Sequence, residues 1–458
     1  MKTKPALLLA LIGSISWVTT LAQSSVLDSY IHEGLKNNLQ LQQEQLTYER
    51  SMENLAQAKA LFLPYASVNG SYQLADGGRK ISIPVGDLIN PVYRNLNQIN
   101  NGLDPNAPQY PQISNQSVNF LANNFHDSKV RIIQPLFNPE IYFAYKAQKE
   151  LTTVQQAQKK AYENQLKFEI TSAYYQFLQG GDAIRILRDT QKLLHELLKT
   201  NQSLVANGKA TKDAVLNAEY EIDKTEMQIA ESEKNYQVTQ AYFNFLLNRD
   251  MNSSIERDST LTMPNNDAEE ISSLKATALK QRYELQQLQH SLNASNQLVN
   301  LSQGNALLPK VNVVGDVGYQ GFNYTFKSDQ QYWLVQFGLT WDLFKGGEKR
   351  AKTQQARIDY QVTENRMEQL KKQIELQVIQ VYYELEAAKQ VYAASLSGVK
   401  SSEKSFQIIR AKYYEGQVIM LEYLDAQNKL TRAQLVNNIN HYELLRKTAD
   451  LQKTISNL

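Results

Sequence analysis

No proline interrupts residues 140–206 or residues 347–414, stretches of 67 and 68 residues. As helices, each would run about 100 Å at 1.5 Å per residue. Globular helices average about a dozen residues, so packing inside one compact domain is excluded as the main solution. The segments that follow show what such helices pack against. Val215, Ile222, Ile229, Tyr236 and Phe243 recur every seven residues, and Tyr423, Leu430, Asn437, Leu444 and Leu451 repeat the pattern. A strict heptad keeps a seam on a partner only through left-handed supercoiling. Small residues between these positions, among them Ala218, Thr225, Ser232 and Ala433, allow close helix approach. Gly180-Gly181 interrupts the first stretch, and at about 1 kcal/mol per glycine it predicts a kink or a break.

The chain is also duplicated. Leu63-Pro64, Val68 and Gly70 match Leu308-Pro309, Val313 and Gly315 at an offset of 245; Gln134 to Phe137 and Ala144 match Trp341 to Phe344 and Ala351 at an offset of 207. Gly208 with Val215 to Ala218 matches Gly416 with Tyr423 to Ala426 at an offset of 208. Each half reads helix, strand, loop, strand, long helix, turn, long helix. The predicted organisation is a signal over 1–22, a first repeat over 23–247, a linker or equatorial segment over 248–270 and a second repeat over 271–458. The first repeat holds strands near 65–74 and 129–137 and a hairpin over 140–247 turning near 208. The second holds strands near 310–320 and 331–343 and a hairpin over 347–458 turning near 416.

The strands alternate with period two. The clearest places Trp333, Val335, Phe337, Leu339, Trp341 and Leu343 on one face, with Tyr332, Gln336, Gly338, Thr340 and Asp342 on the other. The apolar face suits lipid, as in outer-membrane barrels, although a half-buried soluble sheet shows the same alternation. Four strands cannot close around a channel, and lipid forbids open sheet edges. Strands of this kind in a membrane require several copies, and three would pool twelve strands and six helical hairpins. Residues 75–127, rich in proline and asparagine, read as an external loop.

Lys2 and Lys4, the apolar run from Ala6 to Ile12, and Thr20-Leu21-Ala22 read as a secretory signal cut after Ala22. Beyond it no run of eighteen apolar residues offers a membrane helix. The chain has no cysteine, which excludes disulfides, thiolate metal sites and lipidation at an N-terminal cysteine. Lysines and arginines number 48 against 46 acids; subtracting the two signal lysines leaves 46 against 46, and no nucleic-acid surface is expected. The five histidines are scattered, no HExxH, GxSxG or phosphate-binding loop occurs, and Gly77-Gly78-Arg79-Lys80 reads as loop. No catalysis, cofactor or metal is expected.

These residues resemble the TolC-like outer-membrane factors of tripartite efflux and type I secretion. The resemblance covers the mature chain and is carried by Leu307-Leu308-Pro309, Leu343 to Gly347, the glycine turns, and Tyr413-Tyr414-Glu415-Gly416 through Glu422-Tyr423-Leu424-Asp425-Ala426. It implies an α+β membrane protein: a homotrimer whose shared transmembrane β-barrel, four strands per protomer and twelve in all, is continuous with a periplasmic α-helical coiled-coil barrel. It implies a passive exit duct in the outer membrane of a Gram-negative bacterium, with a large periplasmic portion and opened by a periplasmic adaptor (membrane fusion) protein and an inner-membrane pump of RND or ABC type. Trp333, Val335, Phe337, Leu339 and Trp341 would face outer-membrane lipid. Asn207-Gly208-Lys209 and Glu415-Gly416-Gln417 would be the adaptor-docking turns. Glu422 and Asp425 occupy the positions of the family's acidic gate ring, and Tyr413 that of a tyrosine stabilising the closed state. Two departures touch that lock: its usual acidic partner falls at Ala214, beside Asp213, and a nearby arginine is replaced by Val418. A periplasmic adaptor or a coiled-coil structural protein is the alternative, but an adaptor has one hairpin, and a fibre has no need of strands at two equivalent points.

Overall fold

The computed structural model describes residues 25–258 and 270–456, so the expected signal lies outside the described residues. Helices α1 (Ser25–Asn37) and α2 (Leu39–Ala60) lead into strand β1 (Tyr65–Gln73). The chain then folds as β2 (Lys80–Ile83), α3 (Val85–Leu103) and β3 (Gln116–Asn119), followed by β4 (Phe125–Phe137). The first hairpin is α4 (Pro139–Ala206) and α5 (Lys212–Leu246). The second half repeats the plan with α6 (Ile271–Gln281), α7 (Tyr283–Leu307), β5 (Lys310–Phe322), β6 (Gln331–Thr340), α8 (Glu348–Tyr414) and α9 (Met420–Thr454).

Two compact units cut across the sequence repeats. One comprises Met1–Glu53, Lys149–Ser295 and Asp359–Leu458; the other comprises Asn54–Gln148 and Asn296–Ile358. The helical unit is built on the heptad residues: Ile222, Ile229, Phe243, Tyr423, Leu430 and Leu444 are buried, with Ala218 and Thr225 between them. Its largest core gathers Leu27 and Tyr30 of α1, Leu166 to Leu178 of α4, Phe243 and Leu247, and Tyr442 of α9. Tyr442 donates to Asp182 at 2.7 Å, and Arg257 reaches the same carboxylate at 2.9 Å. Further along, Lys447 of α9 donates to Glu384 of α8 at 2.6 Å.

The predicted break at Gly180-Gly181 is absent, since α4 runs as one 68-residue helix. A Cβ on Gly181 would lie 2.6 Å from Arg257 Nη1, and one on Gly180 would press on Tyr236 at 3.4 Å. The glycines admit neighbours, and that packing outweighs their poor helix propensity.

In the second unit the strands form an antiparallel sheet in the order β1-β4-β5-β6, leaving β1 and β6 as edges. Within this sheet β4 begins at Phe125, four residues earlier than its alternation suggested, pairing with Gln73 and with Phe322. Strand β6 stops at Thr340, which pairs with Lys310; the next partner would be Pro309, whose ring nitrogen has no hydrogen to donate. Trp341 and Leu343 therefore lie beyond the strand, although both remain exposed.

The segment between β1 and β4, expected to be an external loop, is folded. Asn90 Nδ2 donates to the Ile113 carbonyl at 2.8 Å while Asn90 Oδ1 accepts from the Ile113 amide at 2.9 Å, and Asn97 treats Tyr110 in the same way. These paired bonds strap residues 110–113 along α3. The helix exposes Leu88, Val92, Ile99 and Leu103, an apolar stripe at helical spacing.

Candidate functional site

The two turns of the helical unit have the same backbone. After α4, Gly208 N donates to Val205 O at 3.0 Å and Lys209 N to Leu204 O at 2.8 Å; after α8, Gly416 N donates to Tyr413 O at 3.0 Å and Gln417 N to Lys412 O at 2.8 Å. This is the Schellman arrangement, with φ of +69° at Gly208 and +74° at Gly416, a region that glycine enters without cost. Thr211 and Ile419, both extended, then start the returning helices. Asn207, Gly208, Lys209, Glu415, Gly416 and Gln417 are all exposed, and beside them stand the exposed apolar side chains of Leu216, Ile419 and Leu421.

Glu422 and Asp425 lie on the first turns of α9, both exposed, and Asp425 accepts from Lys429 at 2.6 Å. Tyr413 faces the other way, into a core with Leu194, Leu197, Phe406 and Tyr423. Its hydroxyl, with only 9% of the residue exposed, donates to Asn201 Oδ1 at 2.6 Å. Burial pushes the Tyr413 hydroxyl above its ordinary pKa, Tyr414 adds to the effect and the Asn201 bond works against it, so the group remains a donor.

Asn201 had no place in the sequence reading, and it is the centre of the site. It is fully buried on α4, and its Nδ2 donates to the Ala214 carbonyl of α5 at 3.0 Å and approaches Met420 Sδ of α9 at 3.4 Å. One amide thus joins four helices just behind the turns. Ala214, where an acid was expected, takes part through its backbone. The clue available in the sequence was an amide at a position where the heptad neighbours are apolar.

The faces of the four-stranded sheet are equally distinct. Trp333, Val335, Phe337 and Leu339 share a face with Val317 and Val311 of β5 and with Val130 and Ile132 of β4. Trp333 is 76% and Phe337 74% exposed in the single chain. On the opposite face Arg131 Nε and Nη2 each donate to Asp316 at 2.8 Å, and Asp316 is only 2% exposed. Tyr332 donates to Asp127 at 2.8 Å, and Lys129 pairs with the same carboxylate. The spacing of Asp127, Lys129 and Arg131 along β4 carried this signal, obscured by the bulge at Pro135 and Phe137. Among the described residues no cluster of His, Cys, Asp or Glu is arranged to hold a metal ion.

Residues 274–456 match the sequence model of the family described as outer membrane efflux protein. None of the curated proteins matches the sequence. Solved structures share the fold: a membrane protein from Pseudomonas aeruginosa has a TM-score of 0.77 at 16% identity, covering 99% of both chains. The CmeC outer membrane channel of Campylobacter jejuni has a TM-score of 0.74 at 15% identity, covering 99% of this chain and 94% of that one. The open state of the Neisseria gonorrhoeae MtrE outer membrane channel has a TM-score of 0.73 at 16% identity, covering 94% and 88%. Residues 274–456 are thus similar to an outer membrane efflux protein, and the chain as a whole shares the fold of solved outer membrane channels.

Proposed function

We propose that three copies form the exit duct of a tripartite efflux or type I secretion system, closed at the helical turns and opened by a periplasmic adaptor and an inner-membrane pump. The observation that carries this reading is the four-stranded sheet with an apolar face, a charged opposite face and two unpaired edges. In lipid such edges are tolerable only when other copies supply their partners. A trimer gives each edge a neighbour and turns Trp333, Val335, Phe337 and Leu339 to the bilayer. Arg131, Asp316, Lys129 and Asp127 then line the water-filled interior, where charge costs least.

The helical unit also favours association with other copies. Leu216, Tyr220, Met227, Val238, Tyr242 and Phe245 form an exposed apolar stripe down α5, of a length that single soluble chains rarely leave uncovered. In this reading Asn201 and Tyr413 hold the hairpins together in the closed state, while Glu422 and Asp425 from three copies crowd the opening. Mutual repulsion of these carboxylates favours cations at the mouth. The exposed turns, with Ile419 and Leu421 beside Gly416, are the adaptor-docking surface. Cargo passes without chemical change.

Conductance of purified trimers in planar bilayers tests the reading. A small, cation-preferring conductance that grows when the Asn201 node is broken is expected. A water-soluble monomer without pore activity would rule the duct out.

A further inference from the structure

At the end of the sheet where the long helices depart, a cavity of about 320 Å³ is lined by Phe62, Leu136, Phe137, Ile141, Phe143 and Leu308, with Pro135, Pro139, Asn138 and Tyr142 completing its wall. We propose that it holds an acyl chain of a phospholipid from the membrane leaflet at that end of the strands, an inference resting on the membrane reading above. No lining residue is charged, and Asn138 is committed to the backbone amide of Glu140 at 3.0 Å, capping α4. A sugar, nucleotide or peptide would find almost no hydrogen-bonding partner there. The volume lies at the small end of the ligand-pocket range of about 300–1,000 Å³, which suits one slender apolar chain.

The cavity continues the surface that faces lipid. Phe137 pairs with Val311, and Val311 pairs with Leu339, so the wall begins in the last row of the Trp333 to Leu339 face. Register shifts between Pro135 and Phe137, and Leu136, the extra residue, is left 57% exposed at the opening. Lys146 Nζ stands over the ring of the wall residue Tyr142 at 4.6 Å, a cation where a phosphate would emerge. A second copy is the poorer occupant, because copies join at β1 and β6 while Pro135, Leu136 and Phe137 of the wall belong to the inner strand β4.

Native mass spectrometry of trimers released from bilayers of phosphatidylethanolamine and phosphatidylglycerol tests the site. Wild type should retain about one phospholipid per protomer under conditions that strip annular lipid. Ile141→Trp, which fills the cavity, should lose that retained lipid while trimer mass and bilayer conductance stay as in wild type; Leu308→Trp is a second filling variant should the first fail to assemble. Wild-type trimers that shed all phospholipid together overturn the proposal, as do equal retention by the filled variant and a trimer structure with a neighbour's side chain in the cavity. Loss of trimer or conductance in wild type would instead refute the channel reading itself.

Discussion

The two glycine turns share one backbone and differ in what surrounds it. At an offset of 208, Gly208 corresponds to Gly416, and their bonding patterns agree bond for bond. Yet Ala214 stands opposite Glu422, Asn217 opposite Asp425, Val205 opposite Tyr413 and Asn201 opposite Ile409. Duplication thus preserved what reverses a helix and released what the reversal is used for. The first turn contributes the buried amide and the second contributes the phenol and the acids, so the polar contact forms between repeats. Neither turn is a complete latch.

The comparison breaks most severely where the turns agree. Gly208→Val with Gly416→Val should remove efflux, measured as drug susceptibility in a strain lacking its own channel, because each substitution puts a β-branched residue in a left-handed conformation that costs about 1–2 kcal/mol. If export persists with both, the reversal is not where an adaptor engages. Asn201→Leu should come next: it strands the Tyr413 hydroxyl and the Ala214 carbonyl, about 1–3 kcal/mol for each buried group. Larger single-channel conductance is expected, with Tyr413→Phe giving a weaker effect in the same direction; a tighter or unchanged pore in both would remove the node from gating.

Giving the second turn the first turn's side chains sharpens the contrast further. Glu422→Ala with Asp425→Asn should abolish cation preference in reversal-potential measurements while leaving trimer stability unchanged, since both side chains are exposed. Persistent cation preference would place the selective ring elsewhere.

The smallest effect expected lies between α8 and α9. The hydrogen bond from Lys447, then that from Gln380, holds the Glu384 carboxyl below its ordinary 4.5. A depressed carboxylate stabilises the fold above its unfolded pKa and loses that contribution as pH falls through the folded value. Melting curves of wild type and Glu384→Gln should therefore differ slightly at neutral pH and converge in acid; a gap that widens in acid would contradict the assignment.

Much of this was readable beforehand because the signals were periodic. Heptads placed Ile222 and Tyr423 in seams, alternation put Trp333 and Phe337 on one face, and paired glycines located both reversals. What escaped notice depends on residues distant in sequence. Asn201 meets Tyr413 across 212 positions, and an amide among apolar heptad neighbours does not reveal which distant residue it will bind. The Arg131 and Asp316 pair joins different repeats. Between β1 and β4, Pro91 lies inside α3 and suggested irregular chain, yet Asn90 and Asn97 bind the strap that orders it. The Gly180-Gly181 pair misled in the opposite sense, because propensity cannot see Arg257 arriving from elsewhere.

The free margins of the sheet have a genetic consequence. If each protomer finishes its neighbour's β-ladder, a copy damaged along Tyr65–Gln73 or Gln331–Thr340 enters assemblies with healthy copies and leaves the ring open for all of them. Such alleles should be dominant when co-expressed with wild type, whereas lesions confined to α3 should be recessive.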